Sequence, residues 1–464
     1  MTILDPADPS GWGPRHAHDP TAVRDDDGVY YLFSTDAYAG GPPRAGVQVR
    51  RSTDLATWEF AGYALEGVPA DGAAWSGASG LWAPDVVRVP VAAPDDGACA
   101  GADGDGSGDD GHDGDGHGAG PQATTTEWRM YWSASTFGSR TSAIGLAVAA
   151  HPLGPWEDRG LVVTSRHETP GPNAIDANAV VDDDGNHWLV YGSFFGGIHV
   201  LALDARTGLA ARPGDVGTCV SRRPASVEGA VEGAFVVPRP GGGHALLVSY
   251  DSLFSTYHVR AAVGEHVTGP FHDVLGHELT DTGTDPALVG TTVLASHRFA
   301  GGRTWLAPGH GAVLTDGADQ LYVHHVRDGD DPTQHEVQVR RLVWTHGRWP
   351  VVSPQPWAGI REERVPGGGP VVPDRLDALA GRWDVVTFDG ATTGVTASRE
   401  VTVTAADLAH VREHGEGRFT WTRGPDAFDG VAFSSWDAVR ERTAWSVTGL
   451  DGGGRASFGT RLPD

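Results

Sequence analysis

Lysine is absent from this 464-residue chain, so every one of its 34 basic residues is arginine. That excludes Schiff-base chemistry and any phosphate loop that depends on its lysine. Cysteine is nearly absent too. Cys99 and Cys219 stand far apart in unlike contexts and form neither a disulfide framework nor a metal-binding spacing. Positive charge is in deficit, with 60 acidic residues against 34 basic and a formal charge of -26. Nucleic acid, anionic membrane surfaces and polyanionic substrates are therefore disfavoured, and a neutral partner fits better. No apolar run approaches a membrane span. The start, Met1-Thr2-Ile3-Leu4-Asp5-Pro6, has no basic or apolar leader pattern, which gives a cytoplasmic expectation.

What is plentiful is glycine and proline, 66 and 31 residues, a composition suited to short strands and tight turns and poor for helices. One hairpin grammar recurs: an apolar run, a turn rich in Asp and Gly, then a strand rich in aromatic and branched residues. It occurs at Asp25-Asp26-Asp27-Gly28-Val29-Tyr30-Tyr31, at Asp182-Asp183-Asp184-Gly185-Asn186-His187-Trp188, at Gly241-Gly242-Gly243-His244-Ala245-Leu246, and at Asp316-Gly317-Ala318-Asp319-Gln320-Leu321-Tyr322. Its second strand alone occurs at Trp128-Arg129-Met130-Tyr131-Trp132. Five copies spaced by roughly 55 to 75 residues, once a long insert is discounted, predict an all-β, five-bladed β-propeller.

Residues 1–360 are assigned to that propeller, with the third and fourth blades over residues 173–276 and the fifth over residues 291–353. Residues 94–120, almost wholly Gly, Asp, Ala and His, read as a disordered insert in the second blade. The stretch Ala73-Ala74-Trp75-Ser76 reads as loop. A Gly/Pro linker at Val365-Pro366-Gly367-Gly368-Gly369-Pro370 marks a boundary, and residues 375–464, anchored by Trp383, Trp421, Trp436 and Trp445, read as a small antiparallel β-barrel.

Asp19, Asp176 and Glu232 share one context, a polar loop leading into an apolar strand. In a propeller the innermost strands start at one end of a central channel, so the three carboxylates are expected to converge there. Carboxylates in unlike surroundings can hold different protonation states, as acid and base halves of a hydrolysis require. Glu228, in Val227-Glu228-Gly229-Ala230, is an alternative to Glu232. Trp82, Phe137 and Phe194 are candidate sugar platforms, and Asn178 and Ser193 candidate hydrogen-bonding groups for sugar hydroxyls.

All of these but Glu228 lie in motifs that, in chain order with two more, resemble the glycoside hydrolase family 43 arabinanases: His18-Asp19-Pro20, Leu81-Trp82-Ala83-Pro84-Asp85, Ser135-Thr136-Phe137-Gly138-Ser139, Ala143-Ile144-Gly145-Leu146-Ala147, Asn173-Ala174-Ile175-Asp176-Ala177-Asn178, Gly192-Ser193-Phe194-Phe195-Gly196-Gly197-Ile198, Val231-Glu232-Gly233-Ala234-Phe235 and Pro308-Gly309-His310-Gly311-Ala312-Val313. The resemblance implies a five-bladed propeller that hydrolyses with inversion, with Asp19 as general base, Glu232 as general acid and Asp176 tuning the acid and orienting the substrate. It implies a metal ion, calcium, with His310 as its protein ligand, and a neutral arabinose-containing polysaccharide or oligosaccharide as partner. The expected activity is cleavage of α-1,5-linked L-arabinan. A β-xylosidase or α-L-arabinofuranosidase using the same site, and a non-catalytic carbohydrate-binding propeller, are the alternatives. The chain departs from the family pattern at Ala177 and Ala234, where proline is common.

Overall fold

A computed structural model describes residues 8–37, 44–92, 124–390, 394–423 and 426–463. The insert expected at residues 94–120 lies outside the described residues. Strands dominate, and they form five blades of four antiparallel strands in chain order followed by one wider sheet.

The first blade is Thr21–Arg24, Tyr30–Ser34, Gln48–Ser52 and Glu59–Tyr63, each strand pairing with the next. The second is Leu81–Ala92, Thr124–Ala134, Ser142–Ala149 and Glu157–Ser165. The third is Asn178–Val181, His187–Tyr191, Ile198–Leu203 and Thr218–Ser221, and the fourth Val231–Pro238, His244–Tyr250, His258–Gly264 and Thr291–Leu294. The fifth holds Trp305–Asp316, Asp319–Asp328, His335–Trp344 and Pro350–Val352. Thr291–Leu294 therefore ends the fourth blade and does not begin the fifth. Its partner is His258–Gly264, and the two are separated by a loop that pairs with itself through Val263, His272 and Glu278, a detour with no periodic signal.

The recurring aromatic second strands supply the blade cores: Tyr31, Trp132, Tyr191, Tyr250 and Tyr322 are all buried. Burying each such ring contributes about 1.5–3 kcal/mol. The ring of blades closes where residues 14–16 reach the fifth blade. Arg15 pairs with Glu336, the His16 amide donates to the His335 carbonyl at 2.9 Å, and the Val337 amide donates to Pro14 at 2.8 Å. Residues 73–76 belong to a short helix, Ala70–Ser76, ended by Gly77 in the left-handed region. Ala70, Ala73 and Ala74, the best helix formers, outweigh Gly72 and the loop reading.

Beyond the fifth blade, seven strands form one antiparallel sheet. Its spatial order is Arg399–Val403, Gly381–Thr387, Ala456–Arg461, Arg442–Asp451, Asp426–Asp437, Arg418–Arg423 and Val411–Gly415. This sheet shares a core with blades four and five. Phe388, Leu450, Ala456 and Phe458 pack with Leu247, Val293, Phe299 and Val351. Thr396–Ala397 pairs in parallel with His297–Arg298, extending the fifth blade's sheet with a segment from the C-terminal region.

Candidate functional site

Each innermost strand begins with the same local irregularity. Asp19, Ala83, Asp176, Gly233 and His310 all have positive φ, at 50°, 36°, 62°, 57° and 44°. Each stands two residues before Thr21, Asp85, Asn178, Phe235 or Ala312, where the regular ladder starts or resumes after a register shift. A left-handed residue costs an L side chain about 1–2 kcal/mol, and such strain persists where the surrounding structure over-determines it. Three of the five positions hold Asp19, Asp176 and His310. Glu232 stands one residue before the fourth.

The result is one pocket of about 1190 Å³ lined by Asp19, Asp176, Glu232 and His310, together with Trp82, Phe137, Ser193 and Phe194. The Oδ1 of Asp19 lies 2.8 Å from Nδ1 of His18, 3.0 Å from Nδ1 of His310 and 3.5 Å from Nδ1 of His325. Its Oδ2 accepts from the Thr35 hydroxyl at 2.6 Å, and that hydroxyl in turn accepts from the Ala83 amide at 2.8 Å. Behind it the rings of His18 and His325 stack at 3.9 Å, and that of His325 stacks on Tyr257 at 5.7 Å. Burial pushes the Asp19 carboxyl up, but His18 and His310 outweigh it and hold it well below the usual carboxylate range.

Asp176 is in the opposite state. Burial pushes its carboxyl up to about 8, and the charges of Glu232 and Asp19 add to this against the opposing pull of His310. Its Oδ2 accepts from the Gly233 amide at 3.3 Å and lies 4.0 Å from Nδ1 of His310. Glu232 is also raised by burial. For His310, burial opposes the charged form, yet Asp19 and Asp176 raise the imidazolium to about 10. With Nδ1 held by Asp19, Nε2 is the nitrogen left, and a cation bound there would have to displace its proton, giving the arrangement in which a carboxylate fixes the tautomer of a metal-bound histidine.

Not every expected residue faces the pocket in the expected role. Asn178 is 1 % exposed and rivets blades together. Its Nδ2 donates to Asp85 Oδ2 at 3.2 Å, and its Oδ1 accepts from the Val236 amide at 2.9 Å. Thr21 donates to Asp85 from the other side at 2.9 Å, so a buried polar belt runs across the first four blades. The expectation that Asn178 contacts sugar is thus corrected, since both ends of its amide are occupied. Ser193 lines the pocket, but its hydroxyl donates to Glu232 Oε2 at 2.8 Å. Glu228 caps the short helix Ala225–Val227 on the exposed rim, whereas Glu232 is buried at the pocket floor.

Sequence reasoning missed Phe254, 57 % exposed on the rim, whose ring lies 6.4 Å from that of Phe137. It also missed Arg223 and Arg327. Arg223 pairs with Asp251 and donates to the Ala230 carbonyl at 3.0 Å, while Arg327 donates to Leu253 and Pro332 carbonyls. Phe254 and Arg223 come from loops with no repeated context, and Arg327 from the end of the strand Asp319–Asp328, beyond the recurring aromatic pattern. His18 is adjacent to Asp19 in His18-Asp19-Pro20, and that adjacency is the signal the sequence offers for it.

The family model described as Glycosyl hydrolases family 43 matches residues 13–89 and 122–350. The chain is 26% identical over 381 residues to extracellular endo-alpha-(1->5)-L-arabinanase 2 of Bacillus subtilis, covering 73% of this chain and 78% of that one. It is 28% identical over 356 residues to extracellular exo-alpha-(1->5)-L-arabinofuranosidase ArbA of Cellvibrio japonicus, covering 72% and 86%. In fold it is similar to endo-1,5-alpha-L-arabinanase from Thermotoga petrophila, with a TM-score of 0.75 at 22% identity over 97% of this chain and 99% of that one. Relatives named as extracellular overturn the cytoplasmic expectation, which rested on the first residues alone. With the motifs, the five blades and the matched span in agreement, the chain belongs to glycosyl hydrolases family 43.

Proposed function

We propose that this glycoside hydrolase cleaves α-1,5-linked L-arabinan or arabino-oligosaccharides by a single displacement with inversion. The observation that carries the reading is the convergence of Asp19, Asp176 and Glu232, from three different blades, around His310 in one pocket. Relatives named as arabinanases support the substrate.

In this reading Asp19 takes a proton from the attacking water, and Glu232 gives its proton to the departing glycosidic oxygen. The opposite protonation tendencies of the two groups suit those roles, and Ser193 holds the Glu232 carboxyl in place. Asp176, pinned by the Gly233 amide, positions the acid and the sugar. Trp82, Phe137 and Phe194 offer faces for the sugar rings.

Calcium is the metal proposed for His310, whose free nitrogen would be its protein ligand with waters completing the shell of a hard, oxygen-preferring cation. When bound it would supply positive charge beside the three carboxylates. Chelation is then expected to lower kcat, with calcium restoring it.

The proposed division leaves residues 375–464 as a small barrel-like module. Val403 and Val411, from the two edge strands of its sheet, pack around one core with Trp383 and Phe419, which supports a sheet curled on itself.

The test is the anomeric configuration of the first sugar released from linear arabinan, followed by NMR. Inversion gives the β-anomer first. Initial release of the α-anomer, or no release, removes this reading.

A further inference from the structure

A second pocket, of about 490 Å³, opens beside the first on the third blade. Its lining is Arg140, Pro170, Gly171, Phe195, Gly196, His199, Cys219 and Arg222. Two features set it apart.

It is a positive site on a chain of formal charge -26, for its lining holds Arg140 and Arg222 with no carboxylate among the described lining residues, while burial lowers His199 toward the neutral imidazole. Arg140 is 5 % exposed, and its Nε is buried without a hydrogen-bond partner. Its other nitrogens donate to the carbonyls of Gly171 at 2.6 Å, His167 at 3.0 Å and Thr169. Backbone carbonyls fix the guanidinium in place, and among the described residues no carboxylate pairs with it. Arg222 is exposed beside it.

It also adjoins the catalytic pocket, because Phe195 lines both. Phe194 and Phe195 are consecutive left-handed residues, at φ 53° and 36°, between Ser193 and Gly196. That strained loop sends Phe194 and Ser193 toward Glu232 and leaves Phe195, 47 % exposed, as the ridge between the pockets. The Arg140 guanidinium lies 5.4 Å from the Phe195 ring centre. An aromatic face beside fixed guanidinium charge matches a ring with an apolar face and a carboxylate.

We propose that this second pocket binds a uronate, a carboxylate-bearing sugar residue carried on the glycan whose neutral part occupies the catalytic pocket. The site size suits one or two sugar rings. The proposal rests on the reading of the first pocket as a glycan-cleaving site, but its test is a binding measurement that needs no turnover. The ridge residue would then carry the chain from one pocket to the other. Branch points bearing acidic sugars would be retained where a neutral groove alone would release them.

The probe is a disaccharide containing one glucuronic acid, compared by calorimetry with its carboxyl-reduced counterpart. The uronate is expected to bind at least about tenfold more tightly, with an affinity that falls as salt rises. Arg222→Gln, a change at an exposed side chain, should reduce uronate binding to the level of the reduced sugar without moving the melting temperature. An independent readout is Cys219, which lines the pocket: bound uronate should slow its labelling by a maleimide, followed on its own peptide by mass spectrometry. Equal binding of the two disaccharides, unchanged binding in Arg222→Gln, or unprotected Cys219 overturns the proposal. Inorganic phosphate binding as tightly as the uronate overturns it too, by making the pocket a general anion site. Failure to cleave arabinan with uronate binding intact would instead remove only the proposed function.

Discussion

Gly233 and His310 are in such close contact that a Cβ on the glycine would lie 2.8 Å from the His310 Cγ and 2.9 Å from its Cα. One of those atoms is backbone, so rotating the imidazole does not relieve the clash. The same glycine has φ +57° and donates its amide to Asp176. A single small residue therefore sets the spacing between the fourth and fifth blades at the chemistry.

Gly233→Ala is accordingly expected to displace His310 or Asp176 and lower kcat on arabinan by roughly 10- to 100-fold, since misplacement on the scale of 1 Å can cost that much. The fold should survive with a modest loss of melting temperature. Wild-type kcat in a folded Gly233→Ala protein would show that the contact does not position the site.

The polar belt makes a different kind of prediction. Asn178→Ala leaves the buried Val236 amide without its acceptor and removes one of the two bonds to Asp85 Oδ2, which keeps the Ala179 amide; an unpaired buried amide costs about 1–3 kcal/mol. Denaturant midpoints should show this loss while KM for arabinan stays unchanged. A raised KM at unaltered stability would return Asn178 to the substrate.

Asp36 gives a pH signature in stability. It is buried, and its Oδ2 accepts from the amides of Gly46 and Leu81, both at 2.7 Å, while its Oδ1 has no partner. Burial raises its carboxyl from 3.8 to about 7, against those hydrogen bonds. A folded-state value above the unfolded one means that its contribution is full below pH 4 and is lost as pH climbs through 7. Asp36→Asn can keep both accepted bonds, so its melting temperature should gain on wild type steadily between pH 4 and pH 8. A difference that stays flat over that range contradicts the assignment.

The blades were legible because each carries its own aromatic strand, a local signal that burial of Tyr31, Trp132, Tyr191, Tyr250 and Tyr322 bears out. Asp19 and Asp176 were legible as a pair because the left-handed turn before each strand sits in the same sequence context. Asn178 was not, because a polar residue at a strand start looks the same whether it faces sugar or a neighbouring blade; Asp85, 93 residues away, decides. The pairing of Thr396–Ala397 with His297–Arg298 likewise depends on segments distant in sequence, and neither is long enough to carry a pattern.

The central claim is that Glu232 donates the proton, and the response to the leaving group tests it most directly. A general acid matters in proportion to how poor the leaving group is, so Glu232→Gln should slow arabinan cleavage by about 10²- to 10⁴-fold yet leave an activated aryl arabinofuranoside nearly unaffected. Asp19→Asn should lose both activities, because the attacking water is common to them. If Glu228→Gln instead shows the leaving-group pattern while Glu232→Gln cleaves arabinan like wild type, the account of the acid is wrong.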